Sequence, residues 1–461
     1  MMLRKRSGKM EIILPKKVKI IIDTLCSQGY EAYAVGGCVR DSLLGRIPGD
    51  WDITTSAQPE EIKRLFRKTI DTGIEHGTVT VMIDGEGFEV TTYRIDGEYE
   101  DSRHPSEVTF TRNLEEDLKR RDFTINAMAY NDQMGIIDIF GGIQDLEARI
   151  IRCVGNAKER FGEDALRILR AVRFAAQLGF EIEEKTKDGM KELAPTLANI
   201  SAERIQVELV KTLISPHPGL LRTAYELGIT KVIFPEFDRM MEKEQRTPDH
   251  MYNIGEHTVQ SVEKIRADKV LRLTMLLHDV GKPLVKTVSE NGQVHFGEHA
   301  EVGEKIARSI LKRWKFDNDT LKKVTKLVYF HDYRMPAEMK DVRHAVNKMG
   351  EELFPLYIEV CLADIDAQSD LQKEEKLQHI LEIQKCYTEI VQRKQCVSLK
   401  TLAVTGKDLI AMGMKPGKEI GETLNQLLDM VLDEPELNQK DTLEEKVKKN
   451  VQCRNQQLAE A

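Results

Sequence analysis

The sequence has no apolar run approaching the ~20 residues that a helix needs to cross a bilayer, so no membrane partner is expected. Its seven cysteines are odd in number, scattered, and include no Cys-x-x-Cys pair. That excludes a zinc ribbon or a disulfide framework and fits reduced thiols in the cytoplasm. Aromatic residues make up only 6% of the chain, and positive charge is not in surplus: 68 Lys and Arg face 76 Asp and Glu, a formal net charge of −8. A nucleic acid would therefore be held by local arginines and helix ends, not by a global basic field. No internal repeat, low-complexity segment or long linker interrupts the chain. Residues 1–10 are basic but no apolar stretch follows them, which argues against a secretory signal. Residues 1–12 are expected to form a disordered leader, with Met10 as an alternative start. What is present is ample. The 461 residues are 41% hydrophobic and 31% charged, room for two to four helix-rich domains at roughly 100–200 residues each.

Residues 14–29 carry Ile20, Ile21, Leu25 and Cys26 at helical spacing, with Gly29 as the stop. A short strand at 31–35, a short helix at 40–44 and an acidic strand at 50–55 follow. Pro59, Glu60 and Glu61 open a helix through Phe66, since proline and acids suit a first turn. Residues 78–83 and 87–93 alternate with period two about residues 85–87, which reads as a hairpin. Residues 95–113 are polar and read as a long mobile loop, a kind of segment that tends to be functional. From Leu114 the pattern is helical almost to the end, with a turn at 140–142 and capping residues at Ser201 and Asp317. The expected fold class is α+β: a small mixed-sheet head followed by all-helical domains.

Several constellations carry chemistry. Gly36 and Gly37 precede Arg40; glycines let backbone N–H groups approach phosphates, and an arginine can fork onto their oxygens. Alone, such a pair also suits an ordinary turn. Asp50 and Asp52 flank Trp51. On a strand, positions i and i+2 share a face, so both carboxylates would project together and suit a hard cation such as Mg²⁺. That geometry fits metal-assisted movement of a nucleotide's phosphoryl group; two solvated acids are the competing reading. Arg121, Asp122 and Asn126 follow in a segment read as a helix, with Asp122 and Asn126 at i, i+4 and Arg121 free to contact phosphate or ribose.

Farther on, Ala165, Ile168, Leu169 and Val172 share one helical face while Asp164, Arg167, Arg170 and Arg173 recur along the other. A solvated charged face is the plain reading. The sharper one concerns Asp164 with Arg167. Cytosine and adenine each present an amino donor beside a ring-nitrogen acceptor, so a carboxylate and a guanidinium could choose C and A over U and G. Arg170 and Arg173 would then reach phosphates or stack. In the helical half, His257, His278, Asp279, His299, His331, Asp332 and Asp364 supply the imidazole and carboxylate ligands that suit a transition metal.

In order and spacing these motifs resemble the bacterial tRNA nucleotidyltransferases, the CCA-adding enzymes, within the polymerase-beta-like nucleotidyltransferase superfamily. The resemblance runs over about residues 12–440. It implies template-independent addition of CMP, CMP and AMP to the 3′ end of tRNA from CTP and ATP with Mg²⁺, releasing pyrophosphate. It implies Asp50 and Asp52 as Mg²⁺ carboxylates, with Glu89 as a candidate third. Gly36, Gly37 and Arg40 match its nucleotide-binding turn, and Arg121 its sugar or phosphate contact. Asp164 and Arg167 match its amino-acid template, Arg170 and Arg173 its further nucleotide contacts, and Arg204 and Glu208 the support of the template helix.

His257, His278, Asp279 and Asp364 resemble the ligands of an HD phosphohydrolase module holding a transition metal. The implied architecture is a head at 13–150, a neck at 151–245, a body with the HD module at 246–395 and a tRNA-anchoring tail at 396–461, chiefly through 406–418. Ala165 stands where bacterial poly(A) polymerases carry proline, and residues 101–110 supply a loop that CC-adding enzymes lack in part. An A-adding enzyme, and an HD phosphohydrolase as the main activity, are the alternative readings.

Overall fold

The computed structural model describes residues 3–6, 9–97, 108–244, 252–290 and 294–448. It divides into two compact units, Met1–Asp238 and Arg239–Ala461. In the first, strands β1 (Leu3–Arg6) and β2 (Lys9–Ile12) pair antiparallel, with Leu3 opposite Ile12. Among the described residues of the expected leader, 3–6 and 9–12 thus pair as a ribbon, and Ile12 is buried. Helix α1 (Lys16–Ser27) buries Val18, Ile21, Ile22 and Leu25 on one side.

The head is built on β3 (Ala32–Val35), α2 (Gly37–Leu43), β4 (Ile53–Thr55), α3 (Pro59–Leu65), β5 (Thr69–Gly73), β6 (Thr78–Ile83), β7 (Glu86–Thr92), β8 (Arg94–Asp96), β9 (Val108–Phe110), α4 (Leu114–Lys119), β10 (Met128–Asn131) and β11 (Gly135–Asp138). Seven strands form one sheet in the order β11-β10-β3-β4-β7-β6-β5. It is mixed because β4 and β7 run parallel while their other neighbours are antiparallel. The β6–β7 turn is the two-residue Asp84-Gly85, both at positive φ (48° and 82°), the backbone that a type I′ hairpin demands. β7 therefore starts at Glu86, one residue before the expected position.

Two expectations change here. The polar segment at 95–113 is bounded by paired strands, Arg94 opposite Phe110 and Ile95 opposite Thr109. Residues 101–107 of its loop motif lie outside the described set. The chain is also not helical from Leu114 onward: β10 and β11 add two strands to the sheet edge beyond β3. β10 gave no period-two signal because all four of its residues are buried, and methionine, alanine and asparagine carry little strand preference. Its Ala129 joins Tyr33, Val35, Leu114 and Leu118 in one cluster, which fixes α4 against the sheet.

The rest of the first unit is mainly helical: α5 (Gly142–Ala148), α6 (Ala157–Glu163), α7 (Leu166–Leu178), α8 (Glu184–Leu193) and α9 (Ala202–Leu213). The Asp164-led helix of the sequence reading breaks at Asp164 and resumes as α7. α6 packs on α8 and α7 on α9. α7 is enclosed almost all round, with Ile168, Ala171, Ala175 and Ala176 fully buried. Burying each of its larger side chains contributes about 1.5–3 kcal/mol.

Among its described residues, the second unit has helices and one short ribbon, Thr287–Val288 with Val294–His295. Body and tail share one core: Val346, Phe354 and Tyr357 pack in the same cluster as Leu409, Val431 and Leu443. Arg343 Nε also donates to the carbonyl of Leu432 at 2.6 Å, satisfying the end of helix Lys418–Asp433. No core boundary coincides with the expected 395/396 division. Among the described residues, no helix is long and apolar enough to cross a membrane.

Candidate active site

Asp50 and Asp52 sit in the extended segment just before β4, not on the strand itself. The Asp52 carbonyl accepts the Val35 N–H at 3.0 Å, which continues the ladder and orients the residue. Ile53 pairs in register with Val90. Continuing that register sets Asp52 level with Glu89, whose neighbours Phe88 and Val90 are buried while Glu89 is exposed. Alternation thus puts Asp52 and Glu89 on one face. Asp52 keeps an exposed surface, yet desolvation by the surrounding protein raises its pKa above the ordinary carboxylate value; Arg121 opposes this and the Asp50 charge adds to it. The donors that Asp50, Asp52 and Glu89 offer a cation are all carboxylate oxygens.

Guanidinium groups ring this edge. Arg121 lies beside Asp52 and Gly36, its Nη2 3.6 Å from the buried Asp117. Its Nε is buried with no hydrogen-bond partner. Asp117, which the sequence reading did not single out, accepts from Thr54 Oγ1 of β4 at 3.0 Å and from Arg120 at 2.8 Å. It therefore clamps the Arg120-Arg121 pair to the strand that carries the aspartates. Only the clustering of a buried acid against two arginines marks it, and that needs the fold.

Gly36 holds φ at +81° at the start of α2, and its N–H is spent on the Met128 carbonyl at 3.1 Å. Its contribution is its shape rather than a free donor. A Cβ there would lie 3.0 Å from Arg121 Nη1, whereas one on Gly37 would meet only Arg40 Nη2 at an ordinary 3.7 Å. Gly36→Ala is expected to cost about 1–3 kcal/mol in a denaturant titration and to weaken nucleotide binding by displacing Arg121. Gly37→Ala should leave stability within about 0.5 kcal/mol. Equal effects of the two would reject this account of the turn.

Arg40 is not open for a ligand in this state. Nε and Nη2 fork onto Asp41 at 2.9 and 3.0 Å, and Nη1 donates to Asn126 Oδ1 at 2.6 Å. Asn126 in turn donates to Asp122 at 3.1 Å. That contact survives although the segment is not an α-helix: Phe123 bridges to Cys153 and only Thr124–Asn126 turns, as a 3₁₀ element. Asp122 also takes two bonds from Arg170, at 2.8 and 2.6 Å. Burial works against its charge, yet Arg170, Asn126 and Arg167 hold it at about 2.

The arginines of α7 do not form a solvated face. Arg167 and Arg173 are only 9% and 7% exposed. Arg167 donates to the carbonyls of Arg160 and Arg120 at 3.0 and 2.8 Å and to Glu163 at 2.5 Å. Asp164 caps α7 through the Leu166 N–H at 3.0 Å, while its other oxygen takes Arg204 of α9 at 2.7 Å. Glu208, also on α9, lies 2.9 Å from Arg173 Nε in an almost fully buried pair. Removing one partner from such a pair costs about 3–5 kcal/mol. Burial pushes Arg173 down to about 10 despite that partner. The Phe174 ring, unmarked in the sequence, lies under three guanidiniums: Arg40 at 5.0 Å, Arg170 at 5.3 Å and Arg173 at 4.1 Å. α7 thus joins Asp164 and Arg167 to the head that carries the aspartates.

In the second unit, His257, His278 and Asp279 converge, with Asp364 Oδ1 2.8 Å from His257 Nε2. His299 and His331, absent from the four-residue set of the resemblance, converge on the same Asp279. Burial would raise the Asp279 carboxyl, but His278 and Lys282 hold it well below its ordinary range. The segment after His278 and Asp279 packs closely on helix His299–Arg313 because Gly281 is bare. A Cβ there would fall 2.2 Å from the His299 carbonyl.

A nucleotidyltransferase is the class that this head and fold define. A family model described as "Poly A polymerase head domain" matches residues 32–152. One described as "Probable RNA and SrmB- binding site of polymerase A" matches 179–241, and "tRNA nucleotidyltransferase domain 2 putative" matches 290–447. Along nearly its whole length the chain is 38% identical to a CCA-adding enzyme of Enterococcus faecalis, covering 91% of this chain and 92% of that one. It is equally 38% identical to a CCA-adding enzyme of Geobacillus kaustophilus, covering 92% and 94%. The chain belongs to the CCA-adding enzyme family. Among solved structures it is similar to the Bacillus stearothermophilus CCA-adding enzyme in complex with CTP. That match has a TM-score of 0.67 and 30% identity, over 95% of this chain and all of that one. The fold is also that of a Thermotoga maritima CCA-adding enzyme complexed with tRNA, at a TM-score of 0.60 and 23% identity, over 95% and 96%.

Proposed function

We propose that the chain adds CMP, CMP and AMP in turn to the 3′ end of tRNA, using CTP and ATP, in the cytoplasm. The observation that carries this reading is the tie between α7 and the head. Arg167 bonds to the Arg120 carbonyl and Arg170 to Asp122, so the residues that would read the base are anchored to the segment carrying Arg121.

Asp50 and Asp52, with Glu89 on the Asp52 face, are the residues that would hold Mg²⁺; their all-oxygen donors suit a hard cation. When bound, that ion neutralises the triphosphate and lowers the pKa of the attacking hydroxyl. The 3′-hydroxyl oxygen of tRNA bonds to the α-phosphorus. The bond from that phosphorus to the bridging oxygen breaks, pyrophosphate leaves, and the hydroxyl proton is lost to water. Arg121, with its unpaired buried Nε, contacts the sugar or phosphate. Arg40 joins it by exchanging Asp41 for a phosphate, and the shape of Gly36 and Gly37 lets the nucleotide approach.

Base choice falls to Asp164 and Arg167. A carboxylate offers about four lone-pair sites, and the two bonds that Asp164 accepts leave it able to take an amino hydrogen from C or A. Arg170 and Arg173 add contacts to the nucleotide, and Arg204 and Glu208 on α9 brace the helix. The segment at 406–418 anchors the tRNA. The transition-metal candidates His257, His278, Asp279 and Asp364 play no part in this reaction.

The test is an extension assay on three tRNAs ending before C-C-A, before C-A and before A, with CTP, ATP and Mg²⁺. Extension by three, two and one nucleotides is expected. Extension of the last substrate alone would make the chain an A-adding enzyme; extension of none would reject the proposal.

A further inference from the structure

Asp117 has no exposed surface, although it is an acid near the end of the short helix α4. Burial works against its charge, yet Arg120 and Arg121, with hydrogen bonds from Arg120 and Thr54, hold its pKa below the ordinary carboxylate value. Its two oxygens have different partners. Oδ1 takes the fork of Arg120, from Nε at 3.0 Å and Nη2 at 2.8 Å. Oδ2 accepts from Thr54 Oγ1 at 3.0 Å and faces Arg121 Nη2 at 3.6 Å. Helical spacing, i to i+3 and i+4, brings both arginines within reach of the one acid.

The first branch of this linkage leads to the aspartates. Thr54 lies two residues after Asp52, so on extended backbone the two side chains share a face. Asp117 thus tethers Arg121 to the face that carries the Asp52 carboxylate. Burial lowers the Arg121 pKa; against it, Asp117 supports the guanidinium charge more than Asp52 or Asp122 does.

The second branch runs through backbone. α4 ends at Arg120, whose side chain folds back onto Asp117 while its carbonyl accepts Arg167 Nη2 at 2.8 Å. One residue earlier, the Lys119 carbonyl accepts Arg160 Nη1 at 3.1 Å. The last carbonyls of a helix have no intrahelical donors and carry partial negative charge. Here guanidiniums from α6 and α7 fill them.

We propose that Asp117 is a positioning residue for nucleotide selection: one buried carboxylate sets Arg121 for the sugar or phosphate and, through the Arg120 backbone, Arg167 for the base edge. This rests on the assignment of nucleotidyl transfer to the head and of base choice to Asp164 and Arg167. Asp117 has no surface with which to touch a nucleotide. A neutral residue in its place leaves Arg121 to Asp52 and Asp122, which draw it away from the ligand, and removes the fork that turns Arg120 back. Misplacing such groups by about 1 Å changes rates by up to about 10²-fold.

The test is equilibrium binding of CTP, ATP, UTP and GTP to the full chain by calorimetry, followed by single-nucleotide transfer to tRNA. Asp117→Asn keeps the size and removes the charge. It should weaken CTP and ATP binding about tenfold, cut the preference over UTP and GTP about tenfold, and leave tRNA affinity within about twofold. Thr54→Val leaves the carboxylate on the arginines but cuts its bond to β4; about three- to fivefold losses are expected. A thermal melt shows that each variant folds, and if Asp117→Asn does not, Thr54→Val decides.

In an Arg167→Ala background, Asp117→Asn should shift the preference by less than about twofold, because effects that act through one residue do not add. A purely structural Asp117 would lower the melting temperature and leave affinity and preference alone. Values within about twofold of the parent in the folded variants therefore overturn the proposal. So does an undiminished effect on preference in the Arg167→Ala background. A parent that binds all four nucleotides alike rejects base reading by Asp164 and Arg167 instead, and CTP affinity then decides for or against Asp117.

Discussion

Asp52→Ala is expected to lower CTP and ATP incorporation by at least ~10³-fold, about 4 kcal/mol of transition-state stabilisation, while tRNA affinity stays within about twofold. The two effects separate because of how Asp52 is held. Its backbone carbonyl is tied to Val35, but no hydrogen bond or ion pair among the described residues engages its carboxylate. The side chain therefore supports no part of the fold. Burial and the neighbouring Asp50 already disfavour its charge, so the alanine variant should be no less stable than the parent. A thermal melt checks that, a filter-binding assay checks tRNA, and a primer-extension time course checks transfer. Asp52→Asn, equal in size, should be as inactive as the alanine. Incorporation within tenfold of the parent by either variant would sink the assignment of the carboxylate pair to the transfer site.

The second large effect is on choice of base. Arg167→Ala should reduce the preference for CTP and ATP over UTP and GTP by about 10²-fold or more, because a pocket built to hydrogen-bond one base edge rejects others through the donors they leave unpaired. Absolute rates will also fall, for a structural reason. Arg167 clasps Glu163 and the carbonyls of Arg160 and Arg120, so its loss loosens the α6–α7 junction. The selectivity ratio is thus the informative quantity, measured as kcat/KM for each nucleotide on one tRNA substrate. Arg167→Lys, which retains charge but not the fork, should restore junction stability more than selectivity. A ratio unchanged in the alanine variant would reject base reading by this residue.

Features specified by neighbours in the chain were legible. The Asp84-Gly85 hairpin, the Pro59 helix start and the Gly29 stop depend on local backbone preference, and each was recognisable within a residue or two. Family and reaction were legible for a similar reason: Gly36, Arg40, Asp50, Asp52, Asp164 and Arg167 keep an order and spacing that short motifs record. Features made by burial were not. β10 hides in a helical-looking stretch because both its faces are covered. The charged face of α7 looked fit for solvent because nothing local announces Asp122, Glu208 or Phe174 as its partners.

The sequence by itself determined which chemical groups are present and in what order: two acids beside a glycine turn, an acid and arginines spaced along a helix, histidines scattered over a helical half. Only the tertiary structure decided their company. It bound Asp117 to Thr54 and Arg120, closed Arg40 onto Asp41 and Asn126, and tied α7 to the head and to α9. It also drew four imidazoles from distant helices around Asp279, where the family resemblance had kept only two of them, His257 and His278. The physical reason is that hydrogen bonds and ion pairs of this kind act over about 3 Å, and packing alone determines which residues, tens or hundreds apart in the chain, come that close.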